Sequence, residues 1–159
     1  VGDIKQKFGT GNQAITCTVA SLGSTSSRES TVVDNTTDLF MDVIVTAKLK
    51  SNAAGTSSTG FVNVYAYATA DGGTTYTSGA TGSDAAYSGE KTNLAFLGAI
   101  TMNANGTTFT GTFNLARAFG YGGIPAKWGL VIENQSGAAL DSTGGNHSLH
   151  YQGILAQSA

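Results

Sequence analysis

The stretch Leu39-Phe40-Met41-Asp42-Val43-Ile44-Val45-Thr46-Ala47-Lys48-Leu49 decides the fold class. Its odd positions, Leu39, Met41, Val43, Val45, Ala47 and Leu49, are all apolar, and Asp42, Thr46 and Lys48 fall between them. Successive side chains of a strand point to opposite faces, so alternation of this length predicts a strand buried on one side. Phe61 to Thr69 repeats the pattern, with Val62, Val64, Ala66 and Ala68 on one face and Asn63, Tyr65 and Tyr67 on the other.

Working outward, the same period groups Leu94, Phe96, Ile100 and Met102, then Phe109, Phe113 and Leu115, then Trp128, Leu130 and Ile132, and finally Leu149, Tyr151 and Leu155. Ile15 to Val19 and Thr31 to Val33 are shorter strand candidates. Gly, Asn, Asp and Ser cluster between the runs and supply the turns. The single helical candidate is one turn at Leu115 to Phe119, stopped by Gly120. Eight or more strands with at most one short helical turn predict an all-β, two-sheet antiparallel sandwich of jelly-roll type. Composition does not shift along the chain. Residues 1–13 are expected to form an extended N-terminal arm and 14–159 a single β-sandwich domain. The stretches Ser51 to Gly60 and Ser78 to Gly89 are expected to be long loops, mobile or ordered by a partner.

At 159 residues the chain is long enough to close a hydrophobic core. Charged residues make up 11% of it, against about 25% in a typical soluble domain. Thr, Ser, Asn and Gly take their place, and a surface so poor in charge is weakly protected against association. The plainer reading is a well-hydrated Ser/Thr surface. Net charge is −2 with the eight Lys and Arg scattered, so no basic stripe exists for nucleic acid. No apolar run is long enough to span a bilayer as a helix. Cys17 has no second cysteine to pair with and reads as a small buried hydrophobe.

Motifs that carry chemistry are few. Thr69-Ala70-Asp71-Gly72-Gly73-Thr74-Thr75-Tyr76 has the spacing of an Asp-box hairpin. There the carboxylate of Asp71 accepts backbone N–H bonds across the turn, Gly72 and Gly73 permit positive φ, and Thr75 and Tyr76 close it. This is a folding device. A sialidase would carry several copies and an arginine cluster, whereas this chain has one copy and only Arg28 and Arg117. His147 and His150, three apart near a strand, are expected on opposite faces and not on one metal ion. Asp71 and Asp84 lack the spacing of a calcium loop. No cofactor and no metal are expected, and no serine sits in a nucleophile elbow. Gly120 to Gly123 precedes Pro125 and a strand, so it lacks the setting of a phosphate loop. The four Asn-X-Ser/Thr matches, Asn35, Asn105, Asn134 and Asn146, are expected by chance in such a composition. Among aromatics, Tyr65, Tyr67, Tyr76 and Tyr121 are the candidates for interaction, as interface anchors or as stacking surfaces for sugars. They are equally at home in a second layer of core. Trp128 groups with Leu130 and Ile132 and reads as core.

The stretches Ser30 to Thr37, Gly60 to Ala86 and Lys127 to Asp141, with Tyr151-Gln152-Gly153 near the end, resemble small structural proteins of tailed-bacteriophage virions. The resemblance implies a capsid decoration or cement protein, a β-sandwich forming dimers or trimers, partnered by the major capsid protein or other virion proteins. It implies a virion location, after assembly in the host bacterial cytoplasm, and no enzyme activity. It contains no catalytic motif, so no functional residue is carried over. On this expectation the arm over 1–13 and the loop Ser51 to Gly60 are contact elements, since many modest contacts repeated by symmetry multiply. The alternative is a tail or fibre-tip module that binds a host-surface glycan through Tyr76 and Tyr121. A hydrolase with carboxylates that only the fold brings together is a third reading.

Overall fold

The alternating runs become strands in the computed structural model, which describes residues 3–120 and 122–158. In chain order they are β1 (Ile4–Phe8), β2 (Gln13–Ala14), β3 (Ser27–Glu29), β4 (Val33–Asp34), β5 (Asp42–Lys50), β6 (Phe61–Thr69), β7 (Ala85–Ala86), β8 (Ala95–Thr101), β9 (Thr108–Asn114), β10 (Lys127–Gln135) and β11 (Ser148–Ser158). One sheet runs β1-β11-β5-β9, with β2 also on β11. The other runs β7-β3-β10-β6-β8, with β4 also on β10. All pairings are antiparallel. Counting β1/β2 and β3/β4 as two broken strands and β7 as an edge addition leaves eight principal strands. Their spatial orders are first-eighth-third-sixth and second-seventh-fourth-fifth. That is the strand order of a jelly roll.

The core lies between the sheets. Val43, Val45, Ala47 and Leu49 of β5 meet Val62, Val64 and Ala66 of β6 and Trp128, Leu130 and Ile132 of β10. All ten are fully buried, and each larger side chain contributes about 1.5–3 kcal/mol. Tyr151 packs edge-on against Trp128, with ring centroids 5.5 Å apart. The helical turn stands where the sequence puts it, as α1 (Leu115–Phe119). Asn114 caps it by accepting from the Arg117 N–H at 2.8 Å, and Gly120 ends it at φ 70°. Single 3₁₀ turns occur at Thr77–Gly79, Lys91–Asn93 and Gly144–Asn146.

Several local expectations are corrected. The alternation from Leu39 does not all become strand: β5 starts at Asp42, and Leu39 and Met41 are exposed. Buried Asn35 delays the start of the strand. Its side chain accepts from the Phe40 N–H at 2.8 Å and donates to the Phe40 carbonyl at 3.0 Å, which closes a turn with Leu39 at φ 53°. Leu94, Phe96, Ile100 and Met102 do not share a face. A register shift between Val64 and Tyr65 leaves Leu97 without a partner on β6, and a bulge of one residue reverses the side-chain phase. Ile100 and Met102 therefore enter the main core while Phe96 is exposed. Ile15 to Val19 is not a strand: β2 ends at Ala14, and beyond it single backbone bonds remain, from Ile15 N–H to the Leu149 carbonyl and from Thr31 N–H to the Thr16 carbonyl. The strands near Thr31 to Val33 are β3 and β4 instead.

Within the expected arm, residues 4–8 form β1 and residues 13–14 form β2, both paired with β11. Val1 and Gly2 lie outside the described residues. The two long loops are held by the chain itself. Ser51 Oγ donates to the Ala104 carbonyl, Thr56 N–H to Asn105 Oδ1, and Ser57 N–H to the Ser136 carbonyl.

Candidate functional site

The crossover from β6 to β8, residues 70–94, does not hang free. It folds over the outer face of the second sheet and adds β7 to the edge at β3. Ala80, Tyr87 and Leu94 from this crossover bury Tyr67 and Val131 in a second core, with Tyr65 and Tyr76 at its margin. Gly129, opposite Tyr67 on β10, makes room for the ring: a Cβ there would lie 2.2 Å from it. The Tyr67 hydroxyl donates to the Ser30 carbonyl at 2.7 Å, and burial pushes its pKa well above the ordinary tyrosine value. Tyr76 packs edge-on against Tyr67 at 5.6 Å, and a Cβ at Gly82 would meet its ring at 2.9 Å. Of the four tyrosines singled out by the sequence, Tyr67 is thus buried and Tyr76 half-buried in packing. Tyr121 lies outside the described residues.

The Asp71 turn launches the crossover. Asp71 Oδ1 accepts from Thr69 Oγ1 at 2.6 Å, Thr75 N–H at 2.9 Å and Thr74 N–H at 3.0 Å, with Gly72 and Gly73 at φ 76° and 103°. The Thr69 hydroxyl, and then the two amides, hold the Asp71 carboxyl well below the usual range. The chain turns back on β6 but forms no second hairpin strand. The Thr77 hydroxyl instead bridges the N–H and carbonyl of Ala68. Farther on, Asp84 takes Arg28 Nε at 2.5 Å and both the N–H and hydroxyl of Thr18, and Thr81 donates twice to buried Glu29. Burial opposes the charge on Asp84, but these bonds outweigh it and lower its pKa.

Tyr65 stands where the cover stops. From the edge of the cover outward, three cross-strand rows follow from the register: Val131–Tyr65–Phe96, with Val131 still beneath the cover, then Glu133–Asn63–Ala99 and Gln135–Phe61–Thr101. Glu133 is the hub. Its Oε2 accepts from Asn63 Nδ2 at 2.9 Å and the Tyr65 hydroxyl at 3.1 Å. Its Oε1 accepts from Gln135 Nε2 at 3.2 Å and lies 3.3 Å from Lys91 Nζ. Burial resists this charge too, but the four donors win and the carboxyl stays below its ordinary pKa. Beside it, a shallow cleft of about 380 Å³ is lined by Asn63, Tyr65, Lys91, Thr92, Leu94 and Phe96. Sequence reasoning passed over Glu133. The available signal was an acid closing the apolar run Trp128 to Ile132, where a strand buried on both faces has no room for an unpaired charge.

The second distinctive surface is at the termini. β11 pairs with β5 only as far as Ile154, and from there to Ser158 it pairs with β1. All five residues of β1 are exposed, as are Ala156, Gln157 and Ser158. The two strands form a ribbon extending past the end of β5. Six large apolar side chains are exposed among the described residues, and Ile4, Phe8, Leu39 and Met41 are on the ribbon or the turn beside it. The other two, Phe61 and Phe96, flank the Glu133 hub. A groove of about 600 Å³ beneath the ribbon is lined by Ile4, Met41, Ala116, Arg117, Ile154 and Ala156, among others.

No family model matches the chain, and no curated protein matches it. Among solved structures, it is similar to a sugar-binding protein described as the EclA C-terminal domain. The likeness has 9% identity over 99% of this chain and 79% of that one, with a TM-score of 0.35. A likeness that loose carries no argument about function. The two histidines are used separately. His147 accepts from the Lys50 N–H at 3.3 Å and its other ring nitrogen lies 2.8 Å from the Asp141 carbonyl, while His150 sits on β11 opposite Thr46.

Proposed function

We propose that the chain is a non-catalytic assembly module, a structural protein of tailed-phage virions that decorates the head shell and contacts its neighbours through the terminal ribbon. The observation that carries this reading is the ribbon itself. Two strands alone are marginal in water, yet this pair is exposed along β1 and carries Ile4 and Phe8 at 81% and 53% exposure. Such a strip gains by being covered, and repetition over a lattice multiplies a modest contact. Lys5 and Lys7 on the same short strand oppose indiscriminate edge pairing, which favours a partner of defined shape over aggregation. The loop Ser51 to Gly60, tied to its own chain, is a weaker contact element than the ribbon. The carboxylates of Asp71, Asp84 and Glu133 are all occupied by donors of the fold, which fits a scaffold better than a hydrolase.

The test is quantitative mass spectrometry of purified particles, followed by rebinding of the Ile4→Asp/Phe8→Asp variant to particles stripped of this chain. Copies in the hundreds, and loss of rebinding with the β circular dichroism unchanged, are expected. Absence of the chain from particles, or unaltered rebinding, overturns the reading.

A further inference from the structure

We propose that the uncovered outer face around Glu133 is a binding site for a neutral saccharide, with Phe96 as the stacking surface. This inference stands apart from the assembly reading and uses none of the ribbon's residues.

A carboxylate has about four lone-pair positions, and four side-chain donors surround Glu133. Glu133 is therefore no receptor for a ligand's donors; it is a clamp on the groups around it. By taking the NH2 of Asn63 and of Gln135 it fixes the orientation of both amides, which leaves their carbonyl oxygens as the free acceptors. It also anchors Lys91, whose ammonium keeps further protons to donate. The outcome is a fixed set of two acceptors on neighbouring strands, Asn63 on β6 and Gln135 on β10, and one donor on the 3₁₀ turn Lys91–Asn93, held before any ligand arrives. Such preorganisation removes much of the ordering cost of binding.

The aromatic part is equally placed. Phe96 is 54% exposed and packs against Tyr65 with ring centroids 5.3 Å apart and planes tilted by 55°. Tyr65 spends its hydroxyl on Glu133, so the pair is braced from below while Phe96 remains open. Phe61, at 39% exposure, is a second ring on the far side of Asn63. The crossover covers the rest of this face and stops short here, so the cleft lies at the margin of the cover.

Charge selects the class of ligand. Glu133 and Lys91 offset one another, leaving no net field for an anion or a cation. A purely apolar partner would bury the free amide oxygens and the ammonium without partners, at a cost. A sugar ring meets both demands. Its C–H face lies on an aromatic ring, and its hydroxyls both donate and accept, which suits two carbonyl oxygens beside an ammonium.

The test uses the intact chain and a panel of neutral hexose and N-acetylhexosamine oligosaccharides, with sialylated and sulfated versions alongside, read by calorimetry and by ligand-observed NMR. Neutral sugars should bind with Kd between about 10 μM and 1 mM. Phe96→Ala should weaken binding at least about tenfold, and Gln135→Leu severalfold, while Phe8→Ala on the ribbon changes nothing. Glu133→Gln, which keeps size and loses the clamp, should weaken binding with Phe96 intact. Phe96 is exposed, so loss of fold is not a concern for that variant, and thermal melting checks the others. No binding of any neutral sugar up to about 10 mM, preference for the charged panel, or a Phe96→Ala variant that binds like the parent would overturn the proposal. Loss of binding in Phe8→Ala equal to that in Phe96→Ala would overturn it as well, by showing general stickiness.

Discussion

β5 and β10 occupy similar places, each inside its own sheet, and differ in how they are buried. β5 alternates strictly between buried and half-buried, whereas β10 is buried at seven consecutive residues, Trp128 to Asn134. The cause is not within the strands. β5 has solvent over its outer face, where Thr46, Lys48, Thr110 and Thr112 stand, while β10 lies beneath Ala80, Tyr87 and Leu94 of the crossover as far as Val131, and Glu133 beyond it is buried among the side chains that bond its carboxylate. A jelly roll offers two outer faces, and this one covers part of one of them with 25 residues of mostly irregular chain. A strand's pattern therefore records its surroundings on both sides, and a loop can act as a third layer.

Tyr67→Ala probes the cover most severely. If the cover is a real second core, removing a fully buried ring that also holds the Ser30 carbonyl should destabilise the fold by about 3–5 kcal/mol, as for main-core aromatics. Urea unfolding followed by circular dichroism measures it. A loss below about 1 kcal/mol would mean that the crossover merely rests on the sheet, and the contrast with β5 would be one of appearance.

The legible parts of the fold were those whose partners lie on one side. From Val43 to Leu49 the alternation gives the inward face directly, and α1 is announced by Leu115 to Phe119 with the stop at Gly120. Tyr67 was ambiguous for the opposite reason: its strand has two buried faces, and the second depends on residues 13 to 27 positions later in the chain. Phe96 was misplaced because one unpaired residue, Leu97, reverses the phase; the one mark of that bulge in Leu94 to Met102 is Gly98, a glycine inside a strand pattern. β1 escaped because Ile4-Lys5-Gln6-Lys7-Phe8 alternates too weakly to distinguish a paired strand from a loose arm. The Glu133 hub needs residues 63, 65, 91, 133 and 135 together, which only the β6–β10 register and the return of the crossover supply.

A smaller effect is expected at the far end of the cover. Asp84 ties the crossover to Arg28 and Thr18, with its side chain 17% exposed. Asp84→Asn should cost about 1–3 kcal/mol at pH 7. The folded-state pKa of Asp84 lies below its unfolded value of about 3.9. Its contribution is therefore present above about pH 4 and fades as pH falls through the lower folded value. Urea titrations of parent and variant should differ at pH 7 and converge at strongly acid pH. A difference that does not shrink on acidification would locate the effect in packing and not in the charge.

The smallest expected effect completes the contrast on the bare face. Thr112 is exposed on β9, and its hydroxyl lies 3.5 Å from that of Thr46 across the β5–β9 pair. Both hydroxyls have water as an alternative partner, so Thr112→Ala gives up little beyond a weak cross-strand contact. The change should stay within about 0.5 kcal/mol. The same experiment that reads a loss of several kcal/mol for Tyr67→Ala would then read almost none here, although both side chains point away from the main core. If Thr112→Ala instead costs more than about 1 kcal/mol, the bare face is not a passive one. The Thr-rich surface of β5 and β9 would then be holding its sheet together across the strands, doing for one side of the sandwich what the crossover does for the other.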